Sequence, residues 1–124
     1  MKKEIQKTLK IQLLKKIREI YLQELNHPVG SVIFHFFKQA LIILIEESIT
    51  LPEKKLNSQD YQQIVNQMRS VFYHVIQPQI KATIEQTTDM HVVDFLCDTT
   101  LDTGRTGMIV ILELKPQKLI SASH

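Results

Sequence analysis

The chain has 124 residues, 44% of them hydrophobic and 23% charged, which is typical of one globular domain burying roughly two thirds of its unfolded surface. The longest unbroken apolar run, residues 40–45, is far shorter than the roughly 20 residues that cross a bilayer, which excludes integral membrane insertion. The single Cys97 excludes an intrachain disulfide and predicts a buried, inert thiol.

Charge is distributed unevenly, although the net charge is only +2. Residues 1–20 hold seven Lys or Arg and two Glu, whereas residues 85–102 hold five acidic residues and no basic one. Such asymmetry is typical of a basic arm for nucleic acid or membrane, and equally of two surfaces of one assembly that attract each other. Lysines interrupt the N-terminal apolar residues, which argues against a signal peptide. A cytoplasmic location, at most peripheral to the membrane, is expected.

Residues 3–25 are predicted to form a basic amphipathic helix. No Gly or Pro interrupts it, and its apolar residues recur mostly at steps of three and four: Ile5, Leu9, Leu13, Ile17, Ile20, Tyr21 and Leu25. The segment Asn26-His27-Pro28 ends the helix, because the residue before a proline is disfavoured in the α region.

Residues 31–47 are predicted to form a β-hairpin. β-branched and aromatic residues dominate on both sides of a polar break at Lys38-Gln39. The second strand, residues 40–45, is apolar on both faces, so both faces should be covered. A long helix can cover one of them, and the other needs the first helix or a second copy of the protein.

Two helices are predicted between this hairpin and the next. Thr50 at an N-cap with Glu53 three residues later makes a capping box, which begins a short helix that ends near Leu56. The apolar periodicity of residues 57–89 then predicts a long helix. Pro78 removes one backbone hydrogen bond and clashes with the preceding turn, so a kink or a break into two helices is expected there.

A second hairpin is predicted from residue 91 to residue 114, with its turn at residues 99–107. On its first strand, strict alternation places Phe95 and Cys97 on one face and Val92 on the other.

The predicted fold is therefore α+β: a basic N-terminal helix, a β-hairpin, a short helix, a long kinked helix and a second β-hairpin. The hairpins form one mainly antiparallel four-stranded sheet with the helices packed on it. Within a single domain overall, the boundaries are a helix at 1–26, an α+β core at 27–118 and a frayed tail at 119–124.

The polar residues indicate no catalytic or metal centre. No histidine pairs with another ligand at a recognised metal spacing, so neither a metal nor a cofactor is expected, and His35 and His74 are predicted to be packed imidazoles. Asp94 and Asp98, about 13 Å apart along a strand, predict a solvated acidic face. Because no nucleophile, base and orienting group occur together, an enzyme is not expected.

Five basic residues are candidate contacts for an anion or a partner: Arg69, Arg105, Lys3, Lys7 and Lys10. Arg105 lies in Gly104-Arg105-Thr106-Gly107, whose backbone amides could face an anion, although an ordinary hairpin turn is the favoured interpretation. The three lysines could contact anionic lipid or nucleic acid. They form no compact cluster and no aromatic residues accompany them, so nucleic acid is not the expected partner.

Several weak signals occur in a set order between about residues 28 and 114. They are Thr50-x-x-Glu53-x-x-Leu56 after a hairpin, Arg69 and Pro78 in the long helix, Ile84-Glu85-x-x-Thr88 before Val92-Val93, and Asp102-x-x-Arg105 before the last strand. This order resembles that of the MpsC-like family, which is named for a Na+-translocating membrane-potential-generating system. The resemblance implies a cytosolic accessory protein with no established catalytic residues.

Three functions are compatible with these observations. The leading hypothesis is a non-catalytic dimeric interaction or regulatory module, accessory to a membrane transport or bioenergetic system, whose partners are a second copy and a subunit of a membrane transport complex. An alternative is a sensor of a small ligand or anion, with a pocket between sheet and helix that involves Arg69 or Arg105. A third is nucleic-acid binding through the basic N-terminal helix.

Overall fold

The computed structural model describes residues 3–115, and the elements in this part of the chain follow the predicted order. Helix α1 (Lys3–Leu25) precedes strands β1 (Val32–Phe37) and β2 (Ala40–Ile45). Helix α2 (Leu51–Leu56) leads through a short 3-10 helix (Gln59–Tyr61) to helix α3 (Gln62–Thr88) and strands β3 (Met90–Thr100) and β4 (Arg105–Leu114). The fold is α+β, as predicted. The frayed tail predicted at 119–124 lies outside the described residues.

The four strands form one antiparallel sheet in the order β1-β2-β4-β3. The two hairpins therefore join through their second strands, β2 and β4. Lys38 in the first turn has φ 55°, in the left-handed region that tight hairpin turns use. The second turn contains only residues 101–104, shorter than predicted, because the polar ends of β3 and β4 continue the ladder.

Both long helices pack on one face of the sheet, called the inner face below. The core there is made of fully or almost fully buried side chains from α1, α3 and the strands, among them Leu13, Ile17, Ile80, Ile84, Leu41, Ile43, Ile45, Val110 and Leu112. Because α1 lies beside α3, it does not cover the opposite face of β2. Of the two covers predicted for that face, the structure excludes the first helix.

A β-bulge at Val93 changes one predicted face. Val92 is 3% exposed and lies on the inner face with Phe95 and Cys97, whereas Val93 is 44% exposed. The prediction that Val92 lies opposite Phe95 is therefore wrong, because one extra residue reverses the alternation on one side of the bulge.

Helix α3 runs through Pro78 without a break. Ile76 and Ile80 on either side of the proline are buried, while Pro78 itself is exposed. The alternative of two separate helices is therefore wrong, and the kink stays a prediction. The helix ends at Asp89, whose φ of 57° places the C-cap in the left-handed region.

The two histidines predicted to be packed are both exposed. His35 alternates with buried Phe34 on β1 and so points away from the helices. The His74 ring lies on the exposed side of α3, with Nδ1 2.7 Å from the Ser70 carbonyl oxygen. Both positions adjoin apolar residues in sequence, and the periodicity did not distinguish the solvent side from the core side.

Candidate functional site

A cleft of about 310 Å³ lies between helix α3 and the inner face of β3 and β4. Its apolar lining comes from α3, β3, β4 and the second turn: Phe72, Ile76, Phe95, Leu101 and Met108. Tyr21 of α1 closes one side, and Arg69, Thr99 and Thr106 supply polar groups. Mostly apolar walls with a few polar groups at one end are typical of small-ligand sites.

Arg69 reaches the cleft from α3 and is held by a buried carboxylate. Its Nε lies 2.5 Å from Oε2 of Glu53, whose side chain is fully buried, and Nη2 donates to Oε1 at 3.4 Å. Nε and Oε2 approach as an ion pair without hydrogen-bond geometry between them. Because Glu53 compensates the guanidinium charge, the cleft offers no spare positive charge at Arg69.

Glu53 owes its place to the capping box of α2. The Thr50 backbone N–H donates to Glu53 Oε1 at 3.0 Å, and the Thr50 hydroxyl donates to the same oxygen at 2.8 Å. The predicted capping box is thus confirmed. It also turns the carboxylate inward, where it can meet Arg69.

A chain of hydroxyl groups continues from Arg69 across the sheet. Arg69 Nη1 donates to Thr99 Oγ1 at 3.1 Å, which lies 2.7 Å from Thr106 Oγ1. Thr106 in turn lies 2.7 Å from Ser48 Oγ, which donates to the Gly104 carbonyl oxygen at 3.0 Å. Thr106 and Ser48 are buried, so this chain ties the loop after β2 to the second hairpin.

Two ionisable groups of the cleft are kept neutral by burial. Desolvation raises the pKa of the half-buried Cys97 thiol to about 11, although nearby Arg69 acts in the opposite direction. Desolvation likewise raises the pKa of the Tyr21 phenol above its usual range, against a hydrogen bond to Thr106 that lowers it. At neutral pH Cys97 is a thiol and not a thiolate, which fits the inert role predicted for it.

Arg105 lies on the other face of the sheet. Its side chain is 56% exposed, and Nε donates to both carboxylate oxygens of Glu46, at 2.9 and 3.0 Å. The structure therefore separates the two candidate arginines: Arg69 lines the cleft and Arg105 does not.

The candidate lysines lie on the first turns of α1. Lys3 and Lys7 are exposed and Lys10 is half-buried. None of the three lines the cleft. The five candidate residues thus belong to three separate places, which sequence alone did not indicate.

The second candidate surface is the face of the sheet turned away from the helices, called the outer face below. Large apolar side chains are exposed on all four of its strands: Ile33 (54%), Phe37 (59%), Ile42 (40%), Ile109 (44%) and Leu96 (59%). Exposed apolar patches of this kind mark interaction sites more often than chance surface.

A model of the MpsC family, described as "Na+-translocating membrane potential-generating system (MpsC)", matches residues 5–114. The chain belongs to the MpsC family. The match begins within α1, so the family's domain includes most of the basic helix, which the sequence resemblance had left outside. No curated protein and no solved structure matches the chain.

Two further observations describe this MpsC chain. None of the helices in residues 3–115 is long and apolar enough to cross a membrane. Within the same residues, no three His, Cys, Asp or Glu side chains are placed to hold a metal ion together.

Sequence reasoning missed most of the cleft's polar residues. Glu53 was recognised only as a capping residue, and Ser48, Thr99 and Thr106 carried no signal of their own. The signal was weak because both threonines fall in residues 99–107, which were predicted to form a turn. What the pattern did give was the location between sheet and helix, with Arg69 in it.

Proposed function

We propose that this protein is a non-catalytic, dimeric interaction or regulatory module that serves a membrane transport or bioenergetic system from the cytoplasmic side. The observation that carries the proposal is the exposed apolar outer face, which a single chain leaves uncovered. Membership in a family described by a Na+-translocating, membrane-potential-generating system supplies the physiological setting.

The chemistry of the cleft supports a non-catalytic role. Two ionisable groups of the cleft are held neutral or paired: Cys97 by burial, and Arg69 by Glu53. A nucleophile needs an adjacent base or a lowered pKa, and the pKa of Cys97 is raised instead.

The membrane role can be tested with cells that carry or lack the protein. We expect the protein to sediment with membranes at low salt and to leave them at high salt, as a peripheral protein does. We also expect Na+-dependent membrane potential to fall when the protein is removed and to recover when it is restored. Unchanged potential, together with a protein found only in the soluble fraction, would overturn the proposal.

A second candidate function, a small-ligand sensor, is favoured by the cleft itself. About 310 Å³ lies at the lower end of the range for ligand sites. Since Glu53 already pairs with Arg69, the ligand that fits is uncharged and mostly apolar, with one polar end near Tyr21 and Thr99. An anion fits the cleft less well.

This candidate can be tested by thermal shift with a library of neutral amphipathic compounds. A ligand at 100 times its dissociation constant adds about 2.7 kcal/mol to the free energy of unfolding. The variant Ser70→Phe, at an exposed position that lines the cleft, should fill it and abolish the shift. A library without hits, or hits that Ser70→Phe does not affect, would reject the sensor.

Nucleic-acid binding through α1 stays the third hypothesis. It predicts an affinity that falls steeply with salt and is lost when Lys3, Lys7 and Lys10 are replaced by Glu together. Filter binding with duplex and single strands would decide it.

A further inference from the structure

We propose that two copies of the chain dimerise through their outer faces, around a two-fold axis that runs along the strands between β2 and β4. The inference deepens the proposed function, because it names the surface and the pairing of the dimer assumed there.

Strand register arranges the outer face in rows that cross the sheet. One row, from β1 to β3, is Ile33, Leu44, Gly107 and Asp98. The next is His35, Ile42, Ile109 and Leu96, and the third is Phe37, Ala40, Ile111 and Asp94. Antiparallel partners point to the same side, so each row is a line of neighbouring side chains.

A two-fold axis along the strands places each row opposite its own copy in reverse order. β2 then faces β4 of the second copy, and β1 faces β3. Leu44 falls opposite Gly107 of the second copy, and Ile111 falls opposite Ala40. At these two positions a large side chain meets a small one, and in the middle row Ile42 meets Ile109 of the second copy. The two apolar faces can therefore pack at the roughly 10 Å spacing of stacked sheets.

Charge selects this axis over one that runs across the strands. With the axis along the strands, Asp94 falls opposite Phe37 of the second copy, next to Lys38, whose Nζ lies 5.6 Å from the Phe37 ring centroid. Asp98 falls opposite Ile33. With the axis across the strands, β3 would face itself, and Asp94 would lie opposite Asp98. Like charges placed opposite each other weaken association, so the first arrangement is favoured.

The Arg105–Glu46 pair fits the same arrangement. These residues form the next row on β4 and at the end of β2, beside the pairing of Ile45 with Thr106. The two-fold axis along the strands brings Arg105 opposite Glu46 of the second copy, and Glu46 opposite Arg105. Four charges of alternating sign then close one end of the apolar interface.

The size of the face sets the expected strength. Four strands about 4.8 Å apart and four rows about 6.6 Å apart give a flat footprint of roughly 500 Å² per copy. The dimer would bury roughly 1,000 Å², near the lower limit for a specific interface. A reversible dimer with a micromolar dissociation constant is therefore expected.

The test is sedimentation velocity on the purified full chain over a hundredfold range of concentration. The native chain should shift from monomer to dimer, and Ile109→Lys should stay a monomer throughout. Ile64→Lys is the matched control, since Ile64 is similarly exposed, at 47%, but lies on α3. It should leave the dimer intact.

A second variant removes the concern that Ile109→Lys disturbs folding. A Cβ added at Gly107 would meet nothing within 4 Å, so Gly107→Leu is tolerated in the single chain. In the dimer it would occupy the space into which Leu44 of the second copy inserts. We expect a folded monomer, with an unchanged circular dichroism spectrum.

The direction of the axis is tested by charge. Asp94→Lys should weaken the dimer roughly tenfold, and Lys38→Glu in the same chain should restore it. Strengthening by Asp94→Lys would indicate the axis across the strands and overturn the arrangement.

A native chain that stays monomeric, or an Ile109→Lys chain that still dimerises, would overturn the interface. These measurements use no membrane, so they fail independently of the membrane role.

Discussion

Arg69 and Glu53 form an ion pair in a largely buried environment. Glu53 is fully buried and the Arg69 side chain is only 19% exposed, so removal of either charge leaves the other uncompensated. We expect Arg69→Leu to lower the free energy of unfolding by about 3–5 kcal/mol. Urea unfolding at neutral pH measures this.

Arg18→Leu is the control for that change. Arg18 is also a helical arginine, but it is exposed and donates only to the Gly30 carbonyl oxygen at 3.3 Å. Its replacement should cost no more than about 1 kcal/mol. If the two variants lose equal free energy of unfolding, the buried ion pair of Arg69 and Glu53 stabilises the fold no more than the exposed hydrogen bond of Arg18 does.

Cys97 gives a prediction about pH. With a pKa of about 11 instead of the ordinary 9.0, the folded chain holds roughly a hundredfold less thiolate at neutral pH. A thiolate with a higher pKa is a stronger nucleophile, here by about tenfold, which offsets part of that loss. Reaction with an aromatic disulfide reagent should therefore be roughly tenfold slower than in the urea-unfolded chain. The folded rate should keep rising with pH up to about 11, where the unfolded rate has levelled off near 9. Identical pH profiles would contradict the burial of this thiol.

The same shift has a consequence for stability, and its sign is determined. A thiol whose pKa is raised on folding stabilises the protein fully below pH 9, the unfolded value. That contribution disappears as pH rises from 9 to about 11. The raised pKa of Tyr21 acts in the same direction, so both groups lower the free energy of unfolding at alkaline pH, which urea titrations at pH 8 and pH 10 would measure.

At the scale of elements, helix α3 contains a proline, which cannot donate the backbone hydrogen bond that a helix interior requires. Pro78 is exposed in the middle of a continuous helix of 27 residues, where a proline costs about 3 kcal/mol. Replacement by alanine also increases the conformational entropy of the unfolded chain, which lowers the free energy of unfolding by about 1 kcal/mol. We expect Pro78→Ala to raise the free energy of unfolding by about 2 kcal/mol in thermal or urea titrations.

Gln86→Ala, at another exposed position on α3, is the control and should change stability by less than about 0.5 kcal/mol. If Pro78→Ala is destabilising, the predicted kink is needed to place Ile76 and Ile80 on the sheet. The kink would then be a structural requirement and not a tolerated defect.

The elements and several of their ends followed from local signals, and the contacts between elements did not. The apolar periodicity of residues 3–25 and the capping box at Thr50 each act within a few residues, so sequence was enough to predict α1 and the start of α2. The bulge at Val93 depends on the register with β4, in which Val92 pairs with Leu112 and Asp94 with Ile111. The same holds for the contact between Arg69 and Glu53, which exists only once α2 folds back against α3.

At the scale of the whole molecule, the described residues form two layers, the helices and the sheet, and no third layer covers the outer face of the sheet. The inner face of the sheet is covered by α1 and α3, whereas Ile42 of β2 is 40% exposed on the outer face. Sequence predicted that both faces of this strand need a cover, because all its residues are apolar. It could not indicate that α1 would lie beside α3 and leave the outer face exposed.

A dimer built on the outer face makes thermal stability depend on concentration. Association stabilises the folded state by mass action, so a hundredfold increase in protein concentration above the dissociation constant should add about 2.7 kcal/mol per dimer. For a dimer of two such chains, this increase in stability raises Tm by roughly 5–10 °C. Scanning calorimetry of the native chain should show this rise, and Gly107→Leu, with the same fold and no partner, should melt at one temperature throughout. A native Tm that does not change with concentration would mean that the apolar rows stay open to water, and the pairing of Leu44 with Gly107 would have to be abandoned.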